Sequence, residues 1–238
     1  LNAFYSKLLV DYSSDASLEQ YVYSSFRVFN ALDISEAENL NQWVKQYPNS
    51  QPAFLARGIF YLSQAWVARG HGYSNQVSED SVRSMKTYLG LAENDLKNAA
   101  SITPRVDIPY YYLFKVLQLL SSRSADAEKY INIAREINPQ GYKTVEALLG
   151  NARPEWGGSI TEMEALIESI KPSENASSLN GYVSYYRGES LLRNGRYRDA
   201  VVFFNSALTN GDNANYYFSR GDAKKGLKDY EGALADYD

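Results

Sequence analysis

The chain has no cysteine and a single histidine, His71, in 238 residues. Without thiols there is no disulfide, thiolate zinc site, iron–sulfur cluster or cysteine nucleophile. One imidazole cannot build a metal site that needs two or three from the same chain. Long apolar runs are missing too. The longest candidate, Tyr110 to Leu120, is interrupted by Lys115 and Gln118, whereas a bilayer span takes about 18 apolar residues. No membrane insertion is expected. Nor is there an excess of positive charge: 24 Lys and Arg stand against 28 Asp and Glu, a formal net charge of −4. That balance argues against a general nucleic-acid binder. No G-x4-G-K-[ST] phosphate loop occurs, and Gly70-x-Gly72 lacks the strand-to-helix setting such a cradle needs. No cofactor is expected. No secretory leader is visible, and the chain starts at Leu1 and stops at Asp238 inside a patterned segment, so it reads as a fragment.

What is present is a globular composition, 45% hydrophobic and 22% charged, enough for a sizeable core. It is organised as a repeat. Displaced by 33 residues, Arg187-Gly188 falls on Arg220-Gly221, Tyr185 on Phe218, Tyr197 on Tyr230, Ala200 on Ala233 and Phe204 on Tyr237. Upstream, Ala92, Leu96, Ala99 and Pro104 set a spacing that Ala127, Ile131, Ala134 and Pro139 reproduce 35 residues later. Ala200, Phe204 and Ala207 reproduce it again. Positions three and four apart share a helix face. Small alanines let a second helix approach, the larger residue fills the gap, and proline punctuates the end. Each unit is then a helical hairpin completed by its neighbour.

The motif Tyr217-x2-Arg220-Gly221 with Tyr230, Ala233 and Tyr237, and Gly188-x2-Leu191 with Tyr197, Ala200 and Phe204, resembles the tetratricopeptide repeat. The likeness covers 181–238 most clearly and extends to 52–139. It departs at Arg220, where the pattern has Leu, and at Lys224, where it has Tyr. The segment from 50 to 170, with Trp156-Gly157-Gly158-Ser159, is similar to bacterial proteins with tetratricopeptide-like helices and a Trp-Gly-Gly-Ser motif. These resemblances imply an all-α, right-handed α-solenoid of about six helical hairpins and a bacterial origin. The expected compartment is the bacterial cytoplasm, or the periplasm if an upstream leader has been removed. A right-handed solenoid divides here into an N-terminal helical cap over 1–50, divergent hairpins over 51–178 and two closer repeat units over 179–238.

The expected hairpins pair 16–30 with 36–47, 52–69 with 79–101, 109–121 with 125–137, 141–151 with 160–170, 179–194 with 197–209, and 214–226 with the segment from 229. Ser35 with Glu38 and Ser159 with Glu162 have capping-box spacing. Gly58 and Ala92 lie 34 apart where Gly188 and Ala200 lie 12 apart. The 22 extra residues are expected to lengthen both helices of the second hairpin.

Twenty-one tyrosines are the conspicuous excess. Tyr182, Tyr185, Glu189 and Arg193 follow i, i+3, i+7, i+11 spacing on one first helix, and Asn215, Phe218, Asp222 and Lys225 nearly reproduce it on another. In tetratricopeptide folds first helices line a concave groove. These eight residues are the expected partner-binding stripe, because Tyr and Arg combine contact area with hydrogen bonding. The alternative is that the next helix covers the aromatics. Glu189 and Asp222 make a basic or mixed peptide a better ligand than a C-terminal carboxylate. His71, Tyr73 and Trp156 are loop residues that could add contacts, although for Trp156 the favoured reading is structural, filling space beside a glycine turn, because that explains the whole motif. The expected function is non-enzymatic protein or peptide binding. Two alternatives are a bacterial toxin-neutralising immunity protein and a hydrolase using carboxylates or His71. The oligomeric state is left open.

Overall fold

The computed structural model describes residues 1–70, 77–120, 125–170 and 174–238. Among them every regular element is helical, with thirteen α-helices and no strand. The repeat alanines explain why. Ala92, Leu96, Ala99, Ile131, Ala134, Ala200, Phe204 and Ala207 are all fully buried, so the small-large-small stripe is the inner face of each second helix.

Packing divides the chain into two compact units, 1–144 and 145–238. In the first, α4 (Gln51–Arg69) and α5 (Glu79–Ser101) form a long hairpin. Ser50 and Ser78 cap these helices by accepting from the Ala53 and Ser81 amides. The second hairpin is thus longer than its counterparts, as the spacing of Gly58 and Ala92 requires. α6 (Ile108–Leu120) pairs with α7 (Ala125–Ile137) and stacks on α5. Tyr112 and Val116 of α6 are buried, and Tyr112 stacks on Tyr23.

The first expected hairpin is replaced by another arrangement. α1 (Asn2–Ser14), α3 (Ala37–Gln46) and the 3-10 turn Val28–Ala31 after α2 (Glu19–Arg27) all pack on α4. The reason is aromatic: Tyr5, Phe26, Phe29 and Trp43 form one cluster, and Tyr5 and Trp43 lie 6.0 Å apart. Each segment contributes its ring to the same core instead of completing a local pair. The cap also moves: Asp33, not Ser35, accepts an amide, that of Ser35 itself, and a 3-10 turn precedes α3.

The division between units falls inside α8 (Tyr142–Asn151). In the second unit α9 (Ile160–Glu168) packs on α10 (Glu174–Arg193) in place of the pairing expected with α8. α10 pairs with α11 (Tyr197–Asn210), α11 stacks on α12 (Ala214–Gly226), and α12 pairs with α13 (Tyr230–Tyr237). The Trp-Gly-Gly-Ser segment is a turn and a cap. Gly157 sits at φ 84°, in the left-handed region, and a Cβ on Gly158 would meet the Ala152 carbonyl. Ser159 then accepts the Glu162 amide to start α9.

Candidate functional site

The hairpin joint is the recurring local device, and it shows which residues are committed to structure. On three first helices a glycine faces a large side chain of the second: Gly58 faces Leu96, Gly188 faces Phe204 and Gly221 faces Tyr237. A Cβ on any of the three would come within 2.8 Å of that side chain, so only glycine allows the approach. The arginine before the glycine clasps an aspartate three residues after the repeat alanine. Arg57 donates to Asp95 through two nitrogens at 2.7 and 2.8 Å and to Asn41 of α3 at 3.0 Å. Arg220 donates to Asp236 at 2.9 and 2.5 Å and to Asn205 of α11 at 2.7 Å. Both aspartates are almost fully buried. A planar guanidinium suits the site because it serves a carboxylate and a third helix at once. Burial pushes Asp236 up, but hydrogen bonds from Arg220 and Lys224 win and hold its carboxyl below the usual range.

The middle hairpin departs from this rule. Phe203 stands where Asp95 and Asp236 stand in the others. Arg187 lies over the Phe203 ring at 5.0 Å and pairs with Glu164 of α9 at 2.5 Å. Arg187 and Glu164 line a hollow of about 490 Å³ with Thr161, Ser190 and Arg196.

The eight stripe residues occupy unlike surroundings. Tyr182 packs edge-on to Tyr186, and burial with that hydroxyl pushes its phenol up. Tyr185 is wedged among Tyr186, Phe204 and Tyr216, with Ser219 on its hydroxyl. Glu189 is half-buried one turn further along, and Arg193 is exposed at the helix end. On α12, Phe218 is exposed and its ring lies 5.5 Å from Tyr237. The Tyr237 hydroxyl donates to Asp222 at 2.7 Å. Asn215 and Lys225 are exposed. Phe218 and Asp222 are therefore brought together by Tyr237, whereas Tyr185 is held between three helices.

Among the loop residues, Trp156 is half-exposed and faces the Arg153 guanidinium at 5.5 Å. Arg153 lies as far from the Tyr186 ring and donates to its hydroxyl at 2.6 Å. His71 and Tyr73 lie outside the described residues.

One cluster escaped the sequence reading. Asp107, fully buried at the start of α6, accepts from the Tyr12 hydroxyl at 2.7 Å and the Tyr23 hydroxyl at 3.2 Å. Asn138 donates to Tyr12 at 3.1 Å. Glu19 accepts the Tyr142 and Lys143 amides at 2.9 and 3.0 Å, capping α8 from α2. Burial pushes the Asp107 and Glu19 carboxyls up, and their mutual repulsion adds to the rise at Glu19. The same burial pushes Tyr12 and Tyr23 up. The nearest sequence signal was Asp107 immediately before Ile108-Pro109, a helix-cap signature. A hollow of about 150 Å³ adjoins the cluster, with Arg105 on its lining.

Among the described residues no group of three or more His, Asp or Glu side chains could hold a metal ion, and no helix is long and apolar enough to cross a membrane. No family model, curated protein or solved structure matches this chain.

Proposed function

We propose that the chain is a non-enzymatic protein- or peptide-binding module, a right-handed tetratricopeptide-like solenoid whose first helices present aromatic and charged side chains. The observation that carries this reading is the repeated joint. Arg57, Gly58 and Asp95, like Arg220, Gly221 and Asp236, are consumed in holding hairpins together. The rest of the first-helix surface is left to carry Glu189 and Arg193 on one helix and Asn215 and Lys225 on the next. A rigid scaffold with polar groups on successive first helices suits extended peptides, since little ordering cost falls on the protein. The half-buried Glu189 carboxylate favours a peptide with basic residues.

The test is a displayed peptide library panned on the full chain, followed by titration of the enriched peptide. Glu189→Lys is expected to weaken that peptide at least tenfold, about 1.4 kcal/mol, with the circular dichroism spectrum unchanged. A library that yields no enriched sequence, or a peptide indifferent to both Glu189→Lys and Asn215→Ala, would count against the stripe.

A further inference from the structure

The hollow beside Asp107 lies within the first unit and is walled by internal segments: the end of α1, the approach to α6 and the end of α7. Its polar groups are out of balance. Asn138 is 8% exposed and donates to the Tyr12 hydroxyl. Among the described residues nothing donates to its amide oxygen. The orientation of that amide is fixed, because Tyr12 gives its own proton to Asp107 and so takes one from Asn138. The side-chain partners of Asp107 are two tyrosine hydroxyls, and no basic side chain among the described residues pairs with it. Lys143 offsets only part of the effect of burial on nearby Glu19. The Ser13 and Ser14 hydroxyls donate to carbonyls of their own helix, which leaves their oxygens as acceptors. α1 and α7 both end here, and helix C-termini carry partial negative charge. α6 begins here, but Asp107 already accepts at its positive end. Floor and walls therefore favour a cation that donates hydrogen bonds.

The mouth favours the opposite charge. Arg105 is exposed on the lining and has no ion pair or hydrogen bond with any described residue. A guanidinium receives a carboxylate through two parallel hydrogen bonds. A metal ion would meet Arg105 at the entrance, and a simple anion would meet the field of Asp107 at the floor. A zwitterion suits both. The volume, about 150 Å³, is that of roughly five waters at about 30 Å³ each. A ligand carrying both charges in so small a space has them on one carbon. We propose that this hollow binds a short α-amino acid such as glycine or alanine, its ammonium donating to Asn138 and its carboxylate paired with Arg105. Asp107 is fully buried, so the ammonium meets it as a nearby charge and not through a direct hydrogen bond. The site shares no residue with the Glu189 stripe, so the two proposals fail separately.

The test is a titration of the full chain with glycine and with alanine, read by ligand-observed NMR. Both are expected to bind saturably. N-acetylglycine, which keeps the carboxylate and loses the ammonium, is expected to bind at least tenfold more weakly. Arg105→Met, a change at an exposed residue without partners, is expected to weaken glycine at least tenfold with the circular dichroism spectrum unchanged. The same variant leaves glycinamide, which keeps the ammonium and loses the carboxylate, unaffected. Arg105→Lys recovers part of the glycine binding, and Glu189→Lys leaves it as in wild type. The proposal is overturned if neither amino acid saturates, the result for a hollow that holds water alone. It is equally overturned if N-acetylglycine binds as tightly as glycine, or if Arg105→Met leaves glycine binding untouched.

Discussion

Asp107 shows how one residue sets a condition on the fold around it. Its carboxylate is buried and held by the hydroxyls of Tyr12 and Tyr23, with Glu19 as a second acid nearby. Hydroxyl donors soften the cost of burying the charge without cancelling it, because neither carries a positive charge. Burial therefore holds the folded-state pKa of Asp107 above its unfolded value. A group raised in this way contributes stability that is fully present below the unfolded carboxylate range, about 4. That contribution is lost as pH rises through the folded value. The Asp107→Asn variant removes the titration. The stability of the wild type relative to this variant is expected to be greatest near pH 4 and to fall towards pH 7, measured by urea unfolding at each pH. Carboxyls held low, such as Asp15 and Asp236, act in the opposite sense in both proteins and cancel in the difference. A gap that is flat with pH, or that widens in the wild type's favour towards pH 7, would show that Asp107 is ionised in the fold without cost.

At the scale of the helix, the hairpin joint divides the glycines into two kinds. Gly188 is pressed against Phe204, itself fully buried, and a Cβ would lie 2.6 Å from a ring carbon. The ring has no solvent to move into, so Gly188→Ala is expected to destabilise by about 1–3 kcal/mol through overpacking. Gly90, exposed within α5, has nothing within 4 Å of an added Cβ. There the change to alanine removes only backbone freedom from the unfolded chain, and Gly90→Ala is expected to stabilise by about 0.5–1 kcal/mol. Chemical denaturation of the two variants against wild type checks both signs. The same joint separates what the sequence could disclose from what it could not. Ala200, Phe204 and Ala207 were legible because their grouping is local to one helix and repeats along the chain. The Arg57–Asp95 clasp was hardly legible: Arg-Gly stood out at 187–188 and 220–221, only Gly58 marked this hairpin, and the partner of Arg57 lies 38 residues away. Hairpins that depend on spacing within a pair emerged, as with α4–α5 and α12–α13. The N-terminal arrangement did not, since Tyr5, Phe29 and Trp43 assemble from separate segments onto α4.

Across the whole molecule, legibility follows the range of the interactions. The network of Tyr12, Tyr23, Asp107 and Asn138 joins residues 84 to 126 positions apart, and no local pattern announces it. The stripe of Tyr182, Glu189, Asn215 and Lys225 was visible as spacing, yet spacing alone did not distinguish wedged Tyr185 from exposed Phe218. Both meet a ring of their own second helix, Phe204 and Tyr237, and the difference arises because Tyr216 of the next hairpin covers Tyr185. Range also governs how stability is distributed. The first unit gathers α1 through α6 around one continuous core that includes Phe26, Ile59, Leu96 and Leu113. In the second unit the cluster of Ala200, Phe204 and Ala223 is ringed by half-buried Tyr185, Leu191 and Val201. Stacked hairpins draw stability from nearest neighbours, so a hairpin enclosed on several sides opens at greater cost than one contacted on a single side. Native-state hydrogen exchange is expected to place α4–α5 amides at an opening free energy above those of α12–α13 by at least about 1.4 kcal/mol, a tenfold difference. Within the second unit, α13 is expected to exchange fastest, since Leu234 and Tyr230 leave one of its faces in water. Equal protection across α4–α5 and α12–α13 would mean that opening is a property of the entire chain and not of the individual hairpin.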